Sequence, residues 1–235
     1  MNFSHRSYEK ELLDADNLPI AALQRNLKEL ELINKYLGGH QITIKGLRSL
    51  IGNKKEIFVC EVGCGGGDNL KAIDKWCYKN GIKSILTGID INKHCIAYAK
   101  NNCTSLKNVT FITSDYKDAT FDLKKPDIVF SSLFCHHLND DELIELVNWS
   151  KLNSGIGFFI NDLHRSPLAY YPIKFLTKMF SRSYLVKNDA PLSVKRSFIK
   201  KDWIKLLSQT RLNKYTIQWR WAFRWLVIVK HEEIK

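Results

Sequence analysis

The chain has 235 residues, of which 45% are hydrophobic and 26% are charged, and its formal net charge is +12 at pH 7. This balance excludes collagen-like, low-complexity and wholly disordered proteins, and the length predicts one or two domains. The sequence has no apolar run of about 18 residues for a membrane span, and its first ten residues lack an apolar export signal. Its basic residues are spread along the chain, which favours solvated helix faces over a nucleic-acid or membrane-binding surface.

The first section, residues 1–52, is predicted to be a helical N-terminal cap. An apolar stripe at helical spacing predicts a first helix, and Gly38 and Gly39 provide its C-terminal stop. The stripe comprises Leu23, Leu27, Leu30 and Ile33 or Asn34. A second, short helix is expected over residues 44–51, ended by Gly52.

The middle section, residues 53–164, alternates apolar runs with helical patterns. The expected strands are 57–62, 84–89, 109–112, 127–130 and 157–160. The expected helices are 71–79, 91–101 and 140–149, the first of these following the glycine-rich turn and the last capped by Asn139. Continuous apolar strands that alternate with helices favour a parallel sheet covered on both faces.

The last third of the chain breaks this rhythm. Residues 165–200 contain three prolines and many aromatic residues, and we expect a helical insertion over the sheet edge, called the lid segment. A helix is then expected over 201–208, followed by an antiparallel hairpin of strands 215–219 and 223–229. We therefore expect a single domain over residues 1–235, with residues 201–235 completing the core.

The most informative motif is the glycine-rich turn Glu61-Val62-Gly63-Cys64-Gly65-Gly66-Gly67-Asp68, which follows a strand and opens a helix. Glycines in this position allow a tight turn and a close approach of the backbone to a ligand. The spacing differs from the dinucleotide fingerprint, and no Lys-Ser or Lys-Thr follows as in a phosphate-binding P-loop. An acidic residue just before the first glycine suits a ligand with a cationic amine. The alternative is a glycine-rich turn without a ligand.

Two further carboxylates follow the next two predicted strands. Asp90 ends the second strand, where a carboxylate can accept hydrogen bonds from both ribose hydroxyls. Asp115 follows the third strand, where it can accept from an adenine amine with Tyr116 beside the ring. The simpler interpretations are a helix N-cap for Asp90 and an ordinary loop residue for Asp115. Together the three motifs place a ligand at the carboxyl edge of the sheet.

The six cysteines contain no C-x-x-C pair, and several lie in apolar or helical patterns. Without a signal peptide, a disulfide framework is not expected, which favours a reducing cytoplasm. Cys60 and Cys64 could form a zinc set with His136 and His137, but the spacing fits no standard ligand pattern. No metal is therefore expected.

With these motifs in place, the chain resembles the class I S-adenosylmethionine-dependent methyltransferases over roughly residues 55–230, with E-x-G-x-G-x-G as the first motif. The segment 127–138, ending in Phe134-Cys135-His136-His137-Leu138, is similar to the small-molecule branch that includes quinone-biosynthesis methyltransferases. Segments 25–40, 161–165 and 188–193 resemble a narrower bacterial group, often associated with type III polyketide synthases. The resemblance implies a Rossmann-like α/β fold with a seven-stranded, mostly parallel sheet, helices on both faces and an antiparallel last strand.

The resemblance also implies S-adenosyl-L-methionine as cofactor, with S-adenosyl-L-homocysteine as product, and a role for each motif. Glu61 would contact the methionine amino end, and Asp90, with Ile91 beside it, the ribose. Asp115 and Tyr116 would hold the adenine. The glycines, with Cys64 among them, would pass the methionine and ribose, and one of two serines would line the methyl-transfer end. These positions are Gly63, Gly65, Gly67, Ser131 and Ser132.

Three histidines at strand ends, His136, His137 and His164, are candidate general bases, because a neutral imidazole suits proton abstraction from a phenol. For each of them the alternative is a structural role, and Asp162 is an alternative base or orienting residue. The candidate substrate contacts are Tyr170, Tyr171, Phe175 and Arg165, with a core-packing role as the alternative for the aromatic stripe.

These expectations combine into one hypothesis of function. The aromatic lid segment predicts an apolar, aromatic or polyketide-like acceptor, and O-methylation is the first expectation. C-methylation of a quinol or polyketide ring, methylation of RNA, and a catalytically silent S-adenosylmethionine-binding module are the alternatives. We expect a cytoplasmic bacterial enzyme of secondary metabolism, a monomer or homodimer, with a small-molecule partner and neither a nucleic acid nor a membrane span.

Overall fold

The computed structural model describes residues 3–15, 17–121, 124–210, 212 and 214–232. The expected domain also includes residues 1, 2, 16, 122, 123, 211, 213 and 233–235, which lie outside the described residues. No helix in the described part is long and apolar enough to cross a membrane.

The described chain alternates helices and strands as the sequence predicts. The strands are β1 (Glu56–Val62), β2 (Lys83–Asp90), β3 (Val109–Thr113), β4 (Ile128–Ser132), β5 (Gly157–Leu163), β6 (Thr216–Arg220) and β7 (Arg224–Lys230). The helices are α1 (Ile20–Tyr36), α2 (Gly39–Ile51), α3 (Asp68–Lys79), α4 (Lys93–Asn102), α5 (Asp140–Asn153), α6 (Pro167–Phe180), α7 (Tyr184–Arg196) and α8 (Lys200–Ser208).

The strands form one seven-stranded sheet with the order β3-β2-β1-β4-β5-β7-β6. The pairs among β1 to β5 are parallel, whereas β7 pairs antiparallel with both β5 and β6. The last strand, β7, therefore lies between β5 and β6 and runs antiparallel to both. This confirms the expected Rossmann-like sheet with an antiparallel last strand.

The two faces of the sheet are covered by different helices, which makes three layers. On one face α2 and α3 pack on the strands, around Leu47, Leu70 and Phe159. On the other face α5 and α8 pack around Leu146, Trp203 and strand residues such as Val227. Strands buried from both sides read as continuous apolar runs, which is why the sequence shows them clearly.

The second helix begins at Gly39, five residues before its predicted start at residue 44. Gly38 takes the left-handed conformation, with φ of 78°, and so ends α1 as expected. Gly39 follows as the first residue of α2, so only Leu37 and Gly38 separate the two helices. α2 then approaches β5 so closely that a Cβ at Gly46 would lie 2.5 Å from the ring of Phe159.

Helices α1, α6 and α7 gather at the carboxyl edge of the sheet rather than on its faces. α7 packs against both α1 and α6 and against a 3-10 turn at Leu12–Asp14. Backbone N–H groups of Leu12 and Leu13 donate to the carboxylate of Asp189 on α7, each at 2.9 Å. The N-terminal segment and residues 165–200 thus lie over the carboxyl ends of the parallel strands.

Candidate active site

The glycine-rich turn joins β1 to α3 and requires glycine at specific positions. Gly63, Gly65 and Gly67 have φ of 68°, 48° and 73°, a region that other residues rarely adopt. A Cβ at Gly63 would lie 2.4 Å from the ring of Phe134, and one at Gly67 would lie 2.8 Å from Sγ of Cys103. The backbone of the turn therefore lies directly against its neighbours, at the floor of a cleft.

Glu61 projects from β1 beneath this turn and is fully buried. Its Oε1 accepts a hydrogen bond of 3.0 Å from Nδ2 of Asn69. Within the described residues its Oε2 has no hydrogen-bond partner. Burial, and next the nearby carboxylate of Asp68, raise the pKa of Glu61 well above its ordinary value. A cationic group beside Oε2 would both satisfy this oxygen and favour its ionised form.

Asp90, at the end of β2, is tied to the turn through its side chain. Its Oδ2 accepts from the backbone N–H of Gly65 and its Oδ1 from that of Asn92, both at 2.9 Å. The N-cap of α4 is Asn92, whose side chain accepts from His94 and Cys95, so the capping interpretation of Asp90 is wrong. Asp90 lines the cleft together with the exposed Ile91.

The cleft continues past β3 into a recess of about 220 Å³. Asp115 and Tyr116 line this recess together with Gly63 and Phe134. The Tyr116 ring is buried and meets Trp149 edge-on, with ring centres 5.3 Å apart. Asp115 also accepts a 3.0 Å hydrogen bond from the Lys117 backbone. A planar ring held between apolar surfaces with one carboxylate at its edge fits this recess.

The main part of the cleft has a volume of about 660 Å³ and contains Glu61, the glycine turn and Asp90. Cys64 and Ser132 also line it. Ser131 is buried behind the wall, where its Oγ lies 3.4 Å from Sγ of Cys135. Leu133, directly after β4, has φ of 54°, a left-handed conformation that a leucine rarely adopts.

A second cavity, of about 250 Å³, adjoins the cleft and is called the inner cavity. Its lining is largely apolar and comes from α1, α6, α7 and the loop before β7. The apolar part includes Leu30, Ile33, Pro172, Ile173, Leu176, Val194 and Phe223. Four residues line both spaces, so the inner cavity opens onto the cleft beside them. They are Leu13, Leu30, Leu133 and His137.

The imidazole of His136 lines the inner cavity and is held in place by a carboxylate. Its Nδ1 lies 2.7 Å from Oδ1 of Asp162, and both side chains are buried. Asp162 also accepts from the backbone N–H groups of His136 and Leu163. Although burial raises the pKa of Asp162, the charge and hydrogen bond of His136 lower it more, so the carboxylate stays ionised. Asp162 therefore fixes a proton on Nδ1 and leaves the Nε2 lone pair free.

His137 has a similar arrangement nearer to the cleft. Its Nδ1 lies 2.9 Å from Oδ1 of Asp14, and the two imidazole centres lie 4.4 Å apart. Glu11 faces both rings, with its carboxylate oxygens 3.7 Å from Nε2 of His136 and 3.8 Å from Nε2 of His137. Burial raises the pKa of Glu11 to about 7.

Glu11, His136 and His137 also form a group that could hold a metal ion, since their ligand atoms lie within 4.8 Å of one another. The cysteines that the sequence suggested for a zinc set do not belong to this group. Cys60 is buried within β1, and Cys64 lies in the glycine turn. All six cysteines are buried and free, and burial raises the thiol pKa of Cys77 to about 11.

The other predicted catalytic and substrate residues do not reach the inner cavity. His164 accepts a 3.1 Å hydrogen bond from the Trp219 indole at Nδ1 and packs against Trp225. Arg165 is buried, and its guanidinium is bound by the carbonyls of Phe3, Ser4 and Ser197 and by Asp202. Its position beneath the N-terminal segment makes it a structural tie.

The aromatic stripe of α6 lies outside the lining of the inner cavity. Tyr171 and Phe175 are 58% and 62% exposed and do not line this cavity. Tyr170 is buried against Phe3 in a separate cluster. The cavity instead contacts α6 through Ala169, Pro172, Ile173 and Leu176. Apolar residues cover most of the helix surface outside the strip of Lys174, Thr177 and Lys178, so the sequence did not show which apolar part turns inward.

Several site residues were missed by the sequence analysis. Glu11, Asn26, Asp189 and Arg224 all line the inner cavity. They lie far apart in the chain, and although Asn26 and Asp189 fall within segments 25–40 and 188–193, only their convergence in the fold marks these residues as part of one site. The helical periodicity of α1 weakly indicates one of them, because Asn26 is a polar residue on the buried stripe of this helix.

The cleft fits the expected cofactor on several independent points. The unpartnered Oε2 of Glu61 suits an ammonium group, and Asp90 suits a ribose diol. The backbone at Gly63 and Gly65 lines the cleft between these two carboxylates. The recess at Tyr116 suits an adenine ring. An ammonium group, a ribose diol and an adenine ring follow one another in this order in S-adenosylmethionine.

Comparison with known proteins agrees with this geometry. Residues 59–150 match the family model described as a methyltransferase domain. No curated protein matches the chain by sequence.

Among solved structures, the chain is similar to the plantazolicin methyltransferase BpumL bound to S-adenosylhomocysteine, with 17% identity and a TM-score of 0.65 over 91% of this chain and 95% of BpumL. A methyltransferase from Aquifex aeolicus shares 16% identity and has a TM-score of 0.64, covering 91% of this chain and 99% of the other. Human N-acetylserotonin methyltransferase shares 15% identity and has a TM-score of 0.64, covering 90% of this chain and 56% of the human chain.

At these identities the structural likeness shows the fold, while the family match covers the glycine turn, Asp90 and Asp115. The match, the fold and the fit of the cleft agree on one conclusion. Residues 59–150 form a methyltransferase domain on a Rossmann-like methyltransferase fold, and the cleft of this chain fits S-adenosylmethionine.

Proposed function

We propose that the protein transfers a methyl group from S-adenosylmethionine to an oxygen atom of a small aromatic acceptor held in the inner cavity. The observation that carries this proposal is the position of His136. Its Asp162-bound imidazole lines an apolar cavity of about 250 Å³ that opens onto the cofactor cleft. An apolar space with a few polar anchors is typical of a small-molecule site.

The covering elements support a small acceptor. The N-terminal segment is tied to α7 by Asp189, and Arg196 adds a 3.0 Å ion pair to Asp14. We assign residues 1–52 as a cap and residues 165–200 as a lid of one methyltransferase domain. Such a cover excludes water from the inner cavity and strengthens each electrostatic contact there.

When bound, S-adenosylmethionine supplies an electrophilic methyl group on a sulfonium sulfur. The chain's own part is positioning, since holding the acceptor oxygen in line supplies much of the rate. Glu61, Asp90 and Asp115 fix the cofactor in the cleft. The narrow opening beside Leu133 and His137 then directs the acceptor oxygen from the inner cavity toward it.

His136 is the proposed general base. A phenol has an ordinary pKa near 10, so its oxygen attacks faster when a base removes the proton. Asp162 accepts a hydrogen bond from Nδ1–H, which leaves Nε2 to take the phenol proton, and the ionised carboxylate then stabilises the imidazolium. His137, which lines both spaces and is oriented by Asp14, is the second candidate. His164 lies outside the cavity lining, so the proposal gives it no catalytic part.

The names of the structural neighbours support the same class of acceptor. One acts on plantazolicin and another on N-acetylserotonin. We infer further that the protein works in a reducing cytoplasm of a bacterium, in secondary metabolism. The six free, buried cysteines support the reducing compartment.

The test is an assay of transferred label. The protein is incubated with methyl-labelled S-adenosylmethionine and either a panel of phenols or total RNA. Label in an ether product, with formation of S-adenosylhomocysteine, supports O-methylation. Label on a ring carbon would favour the C-methylation alternative. Label only in RNA would favour the alternative that the net charge of +12 suggests.

A further inference from the structure

Arg224, the first residue of β7, is a buried cation with no direct ion pair among the described residues, and the carboxylates of Asp162 and Asp68 act on it only from farther away. It is 2% exposed and lines the inner cavity. Its Nη2 donates a 2.9 Å hydrogen bond to Oδ1 of Asn34, a neutral amide. Its Nη1 is buried and has no hydrogen-bond partner in the described part of the chain. Nor does any carboxylate oxygen among the described residues lie within 4.0 Å of this guanidinium.

The other buried arginines of this protein show how unusual this is. Arg196 is paired with Asp14 and donates to the carbonyls of His136, His137 and Glu9. Arg165 is paired with Asp202 and donates to three carbonyls. A charge that is buried without such partners costs a protein much of its stability, so it is retained where a ligand completes it.

A second polar group in the same cavity also lacks a partner. Asn26 on α1 is 2% exposed and lines the inner cavity, and its Oδ1 has no hydrogen-bond partner among the described residues. The remaining lining near these groups is apolar, with Ile33, Ile173 and Phe223. The cavity therefore offers a cation and an amide in apolar surroundings.

We infer that Arg224 binds an anionic group of the acceptor, and that the acceptor is a phenolic carboxylate. A guanidinium matches a carboxylate in geometry and charge, and the free Nη1 provides a donor for it. Asn26 then hydrogen-bonds a second polar group of the same molecule. The phenolic part of this assignment rests on the proposed function, whereas the carboxylate part rests on Arg224 alone.

One other carboxylate could reach a cation in this region, that of the cofactor's methionine. Arg224 connects to the cofactor cleft through Asn34, whose Nδ2 donates to Asp68 at 2.9 Å. Arg224 itself lines the inner cavity and not the cleft, which favours the acceptor as the source. The experiment separates the two sources.

The test is calorimetric titration of the full chain, saturated with S-adenosylhomocysteine, using 2,4-dihydroxybenzoate and its neutral analogue 2,4-dihydroxybenzamide. The wild type should bind the benzoate at least about tenfold more tightly than the benzamide. Arg224→Met should lose this preference and keep its affinity for S-adenosylhomocysteine within about twofold. Equal affinities in the wild type, including no binding of either compound, would overturn the inference. A loss of S-adenosylhomocysteine binding in Arg224→Met would overturn it in favour of the cofactor carboxylate.

Thermal unfolding without ligands gives a second, independent readout. Arg224→Met should melt at the same temperature as the wild type or higher, since it removes a buried charge that has no direct ion pair. Arg165→Met, the matched control, should melt earlier because it breaks a satisfied set of contacts. A comparable loss in both variants would show that Arg224 is structural. Neither readout needs turnover, so benzoate preference without methyl transfer would leave this inference standing and contradict the proposed function.

Discussion

The Nδ1 atom of His136 lies 2.7 Å from Oδ1 of Asp162, and both side chains are buried at the carboxyl edge of the sheet. The pair joins two strand ends, since His136 follows β4 and Asp162 lies near the end of β5. Its position between the sheet and the inner cavity makes it the centre of the proposed chemistry.

Replacing either member of this pair should slow the chemical step. His136→Gln and Asp162→Asn should each lower kcat by about 100-fold or more, because a positioned base contributes that much to proton removal. The affinity for S-adenosylhomocysteine should stay within about twofold. Single-turnover kinetics with the best phenolic acceptor checks this. His164→Gln is the matched control and should keep wild-type rates, and an equal loss in that variant would argue against a base at His136.

Asp90 should be essential for binding the cofactor. Asp90→Ala should weaken binding of S-adenosylhomocysteine by at least about tenfold, since it removes a charge-assisted contact to the ribose. Calorimetry measures this directly. Asp118 is an exposed residue after β3, and Asp118→Ala should bind S-adenosylhomocysteine as the wild type does. Undiminished affinity in Asp90→Ala would contradict the assignment of the cleft.

The glycine turn offers a comparison between backbone strain and steric exclusion. Gly63 and Gly81 both have positive φ, of 68° and 64°, but only Gly63 faces a side chain, the Phe134 ring. Gly81→Ala should cost roughly 1–2 kcal/mol of stability and leave cofactor affinity unchanged. Gly63→Ala should cost more and should also weaken S-adenosylhomocysteine binding. Similar effects in the two variants would show that Phe134 does not confine the turn.

Glu11 should make stability depend on pH between its ordinary pKa of 4.5 and its folded value of about 7. The folded state holds this proton more tightly than the unfolded state does. The resulting stabilisation is fully present below pH 4.5 and is lost as the pH rises through 7. Glu11→Gln cannot show this loss.

Urea unfolding of wild type and Glu11→Gln across pH 4.5 to 7.5 measures the effect. The stability of the wild type relative to the variant should fall over this range. The lowered pKa of Asp14 acts in the opposite direction at more acidic pH and is common to both proteins. Parallel curves for the two proteins would mean that Glu11 is ionised throughout.

The two faces of α6 should differ in their effect on the acceptor. Ile173→Ala should raise the acceptor KM by about tenfold, because it removes apolar surface from the inner cavity. Tyr171→Ala, on the exposed face, should leave KM within about twofold. Steady-state kinetics of both variants decides the matter, and the reverse pattern would place the acceptor outside the inner cavity.

Much of this arrangement could be predicted because it is local in sequence. The strand before Gly63, the glycines themselves and the acidic residues after β2 and β3 each carry their own pattern. Asp90 and Asp115 could be assigned because parallel strands end at one edge. The alternation of buried strands and helices likewise predicted a parallel sheet covered by helices on both faces.

The inner cavity could not be predicted in the same way, because it depends on contacts between distant segments. Glu11 meets Ser193 and the two histidines only after the N-terminal segment has docked on α7. Arg224 looks like an ordinary strand residue in sequence, and its lack of a direct ion pair is visible only in three dimensions. The exposure of Tyr171 and Phe175 shows the same limit, since a helix with apolar residues over most of its surface does not reveal which of them face inward.

The most direct test of the account is transfer of a ¹³C-labelled methyl group from S-adenosylmethionine to 2,4-dihydroxybenzoate, followed by NMR of the product. The account predicts a labelled methoxy carbon with the wild type, and a rate reduced by about 100-fold in His136→Gln at saturating cofactor. A labelled product in which the methyl group is on a ring carbon, or an undiminished rate in His136→Gln, would contradict it.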